Sequence, residues 1–382
     1  MKRLAVFLML LLPLSLCGES AAYRFTHINT GNSSLSYNGI SKIFQDSRGF
    51  VWIGTFKGLN RYDGTRFRVY YREDLGLESD FVHQIAEDAE GNIWIGTDAG
   101  VTRYEWKSDR FVPLTQPSDL GTVIRNKVTF IAPGSDARVW MAVNYQGCFS
   151  YDLNTGTLRN HLLSPAPQSG SYYDMSGLSI SFRRMVEDGK GGLWVSKYHN
   201  NIFHVDSDFR QVTPIDLGRN SDFFVEDEVE ALFMKDSLLY VASLRAGISV
   251  VNPAERSVRR LFTIPEGAVL VDACLQQERW MWLSTTRGIW RYDLEEGTAE
   301  HIEEDRSDPF SITGNYVFTT LVDREGGLWV GTKDGGVSYS GPSQKYFEKE
   351  YRQLKGTIVS GFTPFQSLRF SYLSIDAFHF FL

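Results

Sequence analysis

Five cations recur at one place in a repeated phrase of this chain. Lys57, Lys197, Arg245, Arg287 and Lys333 each follow, within a few residues, an apolar run centred on Trp or Tyr. Tyr145, Tyr198 and His199 stand at the same place in their own copies. Lysine and arginine beside aromatic rings can grip the flat face of a sugar and its carboxylate or sulfate, so these eight residues are the candidate ligand-binding set. The alternative is that turn tips are polar in any soluble protein and that the long side chains point outward. Other chemistry is scarce. There is no G-x-S-x-G, phosphate-cradling glycine loop, H-E-x-x-H or calcium loop, and no Cys/His spacing for zinc. Asp46, Asp88 and Asp323 recur and could be paired as acid and base, but each opens an Asp-x-x-Gly turn and is explained by it. His83, His199 and His204 stand without visible partners. No catalytic residue, metal or cofactor is expected.

The elements that would position the cations are legible in the repeat. Its anchor is Trp52, Trp94, Trp140, Trp194, Tyr240, Trp282 and Trp329, at steps of 42, 46, 54, 46, 42 and 47 residues. Each copy holds a short β-favouring run (Val82 to Ala86, Val317 to Leu321), a tight Asp-x-x-Gly turn and an apolar second run such as Ile-Trp-Ile-Gly-Thr. A glycine turn, a third run ending near Tyr-Asp and an outer fourth run follow. The small residue two after the Trp (Gly54, Gly96, Gly331) would let a neighbouring sheet approach closely. Four antiparallel strands every 45 residues or so, apolar on both faces, predict an all-β, seven-bladed β-propeller over 23–351. In that architecture the second-to-third turns share one rim with the links between blades, and the Asp-x-x-Gly turns occupy the other. Residues 161–180, rich in Pro, Gly and Ser, read as a surface insertion.

The chain has 382 residues, 42% hydrophobic and 14% aromatic, with a formal charge of -7. That balance excludes disorder and argues against a generic nucleic-acid binder. Lys2 and Arg3, the apolar run from Leu4 to Leu16 and Ser20-Ala21-Ala22 predict a signal peptide over 1–22 and an exported protein, with no membrane span in the remainder. Cys17 leaves with that segment; Cys148 and Cys274 fall in distant copies and read as small buried residues, not a bridge. Tyr23 to Ile28 looks like a fourth strand placed ahead of the first copy, suited to closing the ring by completing the last blade. Residues 346–351 offer an eighth candidate for seven such places. Beyond them the pattern collapses, and 352–382 reads as an irregular, misframed or truncated tail.

The frame D-x-x-G-x-[ILV]-W-[IV]-G-T-x-x-G-[LV]-x-x-[YF], strongest in 46–63, 88–105 and 323–340, resembles the two-component regulator propeller repeat. The opening YRFTHINTGNSSLSYNGISKIFQDSRG is similar to the start of hybrid two-component sensors from polysaccharide-degrading bacteria. The resemblance implies a periplasmic sensor that responds to oligosaccharides released from a glycan, homodimeric in its full-length form. It supplies no ligand motif to carry over. This sequence shows no second propeller, phosphoacceptor histidine box or receiver, so the chain itself is expected not to be a kinase. Two other readings stay open: an exported polysaccharide lyase or glycosidase, and a protein-interaction scaffold.

Overall fold

The computed structural model describes residues 23–161, 182–197, 202–209, 212–214 and 227–342. The predicted signal peptide, most of the insertion, the segment 346–351 and the tail 352–382 lie outside the described residues.

Seven four-stranded antiparallel sheets account for nearly all of the regular structure. Six are runs of consecutive strands: blades 1 (residues 40–70), 2 (82–113), 3 (128–161), 4 (182–214), 5 (229–262) and 6 (270–302). Blade 7 joins three strands between residues 317 and 340 to Thr26–Ile28, which pairs antiparallel with Val337–Ser340. The strand before the first copy therefore fills the outer place of the last blade. The two ends of the ring are pinned by hydrogen bonds as well as by packing, and Val337–Ser340 is not left as a sheet edge.

The inner strands of successive blades touch in cyclic order, blade 7 returning to blade 1. Their opening residues, Ile40, Val82, Val128, Phe182, Val229, Leu270 and Val317, are all fully buried between blades. The glycine after the Trp makes that approach possible. A Cβ on Gly54 would stand 2.7 Å from Val82, one on Gly96 2.8 Å from Val128, and one on Gly331 2.6 Å from Ile40. The last of these is the contact that closes the ring.

The recurring Asp and Trp prove to be one device. Asp46 accepts the backbone N–H groups of Arg48 (2.9 Å) and Phe50 (3.0 Å) on Oδ1, and its Oδ2 accepts Trp52 Nε1–H at 2.7 Å. Trp94 donates to Asp88 at 2.7 Å and Trp329 to Asp323 at 2.8 Å in the same way. A buried indole needs an acceptor, and the hairpin carboxylate six residues earlier supplies it while holding the turn. In blade 6 Gln276 replaces the aspartate and accepts from Trp282 at 2.8 Å. In blade 3 the position is Gly134, and Trp140 turns to Glu187 of the next blade at 3.1 Å. Cys148 and Cys274 are free, in blades 3 and 6; burial pushes the Cys274 thiol up to about 12.

Candidate ligand-binding rim

Each inner strand carries a bulge one residue after its buried opening residue, as between Ile40 and Lys42 or Val317 and Thr319, and all seven blades share it. The unpaired residues are Ser41, His83, Thr129, Arg183, Glu230, Val271 and Phe318. A bulge at one level of every blade re-aims the side chains there at the same height beneath the rim.

The second-to-third turns of that rim rest on a threonine that ends the second strand. Thr55, Thr97, Thr285 and Thr332 donate from Oγ1 to the carbonyls of Gly58, Gly100, Gly288 and Gly336, at 2.8–3.1 Å. The same oxygens accept turn N–H groups, including those of Lys57 and Arg287, both at 3.0 Å. Blade 5 uses a different anchor: Asp227 accepts the N–H of Arg245 at 2.8 Å and of Ala246 at 2.5 Å. The cations are thus mounted on fixed backbone.

Their side chains do not all do the same thing. Lys57 Nζ lies 5.1 Å from the centre of the Tyr37 ring, and Lys333 Nζ 5.3 Å from that of Tyr316. Each such contact is worth about 0.5–1 kcal/mol at an exposed site, so a ligand anion can draw the ammonium away. Arg287 is exposed and donates from Nη1 to the Glu266 carbonyl at 3.3 Å. Arg245 is exposed, and Tyr145 is 68% exposed at the tip of the blade 3 turn with φ of 58°. Lys197 closes the strand Leu193–Lys197 opposite Phe182. Tyr198 and His199 lie outside the described residues.

Around the channel mouth the side chains divide into two halves. Across blades 7, 1 and 2 they are rings. Tyr316 stacks on Phe318 (centroids 5.0 Å apart), Phe318 meets Phe56 edge-on at 5.4 Å, and Phe56 lies 4.7 Å from Phe81. Phe81 stacks on His83 at 4.2 Å, and Tyr37 flanks Phe56 at 6.3 Å. Gly39 seats this group, because a Cβ there would be 2.7 Å from the Phe56 ring and 2.9 Å from the Lys333 carbonyl oxygen. One residue deeper, Lys42 of blade 1 reaches past blade 7 to Asp272 of blade 6 at 2.7 Å, and Thr319 donates to the same carboxylate oxygen at 3.1 Å.

Across blades 3 to 5 the mouth is ionic. Arg184 donates to the backbone oxygens of Glu230 (2.5 Å) and Thr129 (3.0 Å), tying three blades together. Arg183 pairs with Glu228 and, at 2.5 Å, with Glu230, which is only 2% exposed. Burial outweighs both guanidiniums and raises the Glu230 pKa. Burial, with Arg183 and Arg184 behind it, holds the Lys127 ammonium below its usual range against the pull of Asp98.

Two expectations about histidines are corrected. His83 has a partner, Asp98, at 2.6 Å, and His204 pairs with Asp188 at 2.7 Å. Each pair spans more than ten residues of sequence and meets only because adjacent strands fold together. Burial first, then Lys127, lowers the His83 pKa despite Asp98. The ring arc was missed as well, although one signal for it is present. Phe81-Val82-His83 and Tyr316-Val317-Phe318 both place rings on either side of the buried opening residue. Two partly open recesses of about 170 and 490 Å³ lie elsewhere, between blades 2 and 3 and between blades 4 and 5. Among the described residues no cluster of three or more His, Cys, Asp or Glu could hold a metal ion, and no helix is long and apolar enough to cross a membrane.

A closed ring of seven four-stranded blades with a side-chain-lined mouth defines a β-propeller. More narrowly, residues 34–57, 76–99 and 311–334 match the family model of the two component regulator propeller. The extracellular domain of a protein assigned as a hybrid two component system in B. thetaiotaomicron shares the fold, with TM-score 0.67 and 21% identity over 84% of this chain. A second such extracellular domain from B. thetaiotaomicron gives TM-score 0.65 and 20% identity, also over 84%. This chain spans 42% and 40% of those two longer chains. Virginiamycin B lyase from Staphylococcus aureus is similar over 84% of this chain and 99% of its own, with TM-score 0.61 and 14% identity. No curated protein matches significantly.

Proposed function

We propose that this chain is a ligand-sensing propeller exported to the periplasm, part of a two-component sensor that responds to acidic oligosaccharides released from a glycan. The observation that carries this reading is the presence of two component regulator propeller repeats in a fold shared with extracellular domains of such systems. The ligand face in this reading is the rim bearing Lys57, Arg245, Arg287 and Lys333, where cations stand on rigid turns in a protein of net charge -7. A sensor needs differential binding and no turnover. Calorimetry with acidic oligosaccharides tests it: wild type binds, and the double variant Arg245→Ala plus Arg287→Ala binds more weakly. Equal binding by the double variant removes those two arginines from the site.

One observation favours a second reading. His83 and Asp98 form a histidine–carboxylate pair at the mouth of a fold also used by a lyase. Release of unsaturated or reducing ends from a glycan by the purified chain would establish the enzyme instead.

A further inference from the structure

We propose that the aromatic half of the channel mouth is a stacking subsite for one carboxylate-bearing pyranose, with Lys57 and Lys333 as its anion contacts. This rests on the sensor reading and deepens it by placing the sugar on blades 7, 1 and 2.

Three features point to a sugar. The rings are tilted against one another: Phe56 stands at 88° to Phe318, 51° to Phe81 and 38° to Tyr37. Rings inclined in this way make a concave seat, which suits a puckered ring presenting axial C–H groups better than a planar aromatic ligand. Polar groups also converge at the edges of the seat. Tyr37 and Tyr316 are 37% and 40% exposed, and His83 with Asp98 closes the blade 2 end. A purely hydrocarbon ligand would make no use of those polar groups.

The third feature is charge. The two lysines stand on adjacent blades of the arc, 1 and 7, and each rests on a tyrosine face and not on a carboxylate. No ion pair of the described residues involves Lys57 or Lys333. Each ammonium can exchange a weak cation–π contact for a charge-assisted hydrogen bond to a ligand carboxylate, uncovering the tyrosine for stacking. The ionic half offers no such freedom, since Arg183 and Arg184 are already committed to Glu228 and Glu230.

The test uses the full chain, with trigalacturonate, trimannuronate and a chondroitin tetrasaccharide as acidic probes and maltotriose as the neutral one. At least one acidic probe should bind more tightly than maltotriose. Phe56→Leu, which keeps an apolar side chain but removes the π face, should weaken that binding about tenfold while the thermal midpoint stays near wild type. Lys57→Ala with Lys333→Ala, both at exposed positions, should bring acidic binding down to the level of maltotriose. Undiminished binding in Phe56→Leu and in Phe318→Leu would overturn the subsite and leave the sensor reading standing. Failure of wild type to bind any acidic probe would overturn both.

Discussion

The two halves of the channel mouth are built on the same strands at the same bulge, yet they behave as opposites. In blades 3 to 5 the bulge residues Thr129, Arg183 and Glu230 spend their polar groups on one another and on neighbouring backbone. In blades 7, 1 and 2 the corresponding residues Phe318, Ser41 and His83 leave a set of rings with exposed tyrosines at its edges. Buried ion pairs are costly to break, because removing one partner strands the other charge. Exposed rings capped by lysines are held by weak contacts that a ligand can replace. A closed ring therefore gains rigidity from one half of its channel and keeps the other available, with no change of backbone plan.

Breaking the ionic half should have the largest effect. Arg184→Ala leaves Glu230 with one guanidinium and frees three backbone carbonyls, and we expect a loss of about 3–5 kcal/mol in denaturant unfolding. Next is Gly39→Ala, which drives a methyl into Phe56 and the Lys333 carbonyl and should cost about 1–3 kcal/mol, with an altered near-ultraviolet circular dichroism spectrum. Acid separates the halves by sign. The folded state lowers the His83 pKa from 6.5, so its contribution is complete above 6.5 and is lost as pH falls through the lower folded value. His161, half-buried in blade 3 with a pKa lowered to about 4 chiefly by desolvation, adds to the same loss between 6.5 and 4. Glu230 acts in the opposite direction: its raised pKa favours the folded state below 4.5 and withdraws that support as pH rises through the elevated value. Unfolding midpoints between pH 4 and 7, compared with those of His83→Phe and Glu230→Gln, should show the two slopes. The smallest effect is expected for Lys57→Ala and for Lys333→Ala taken singly, no more than about 0.5–1 kcal/mol each in the absence of ligand, the worth of one cation–π contact. A larger loss would mean that the lysines serve the fold and not the rim.

Much of the blade plan could be read residue by residue. Trp52 through Trp329 mark the second strands, the Asp-x-x-Gly turns mark the hairpins, and Gly54, Gly96 and Gly331 mark the places where blades touch. Tyr23 to Ile28 was legible as a closing strand because a fourth-strand pattern ahead of the first copy has no partner nearby in sequence. The reason for the Trp–Asp spacing was not legible. A turn explains the aspartate and a core explains the tryptophan, and only the indole hydrogen bond joins them. Nor did the repeat explain its threonine, which holds the turns that carry Lys57 and Arg287.

What the sequence determined alone is whatever repeats locally: strand, turn, glycine and their period, since each depends on neighbours a few residues away. Only the tertiary structure decided which side chains meet across the channel. Lys42 and Asp272 are 230 residues apart, and Phe56 and Phe318 come together because blade 7 closes on blade 1. Contacts made by ring closure have no fixed spacing along the chain, so no local pattern can encode them.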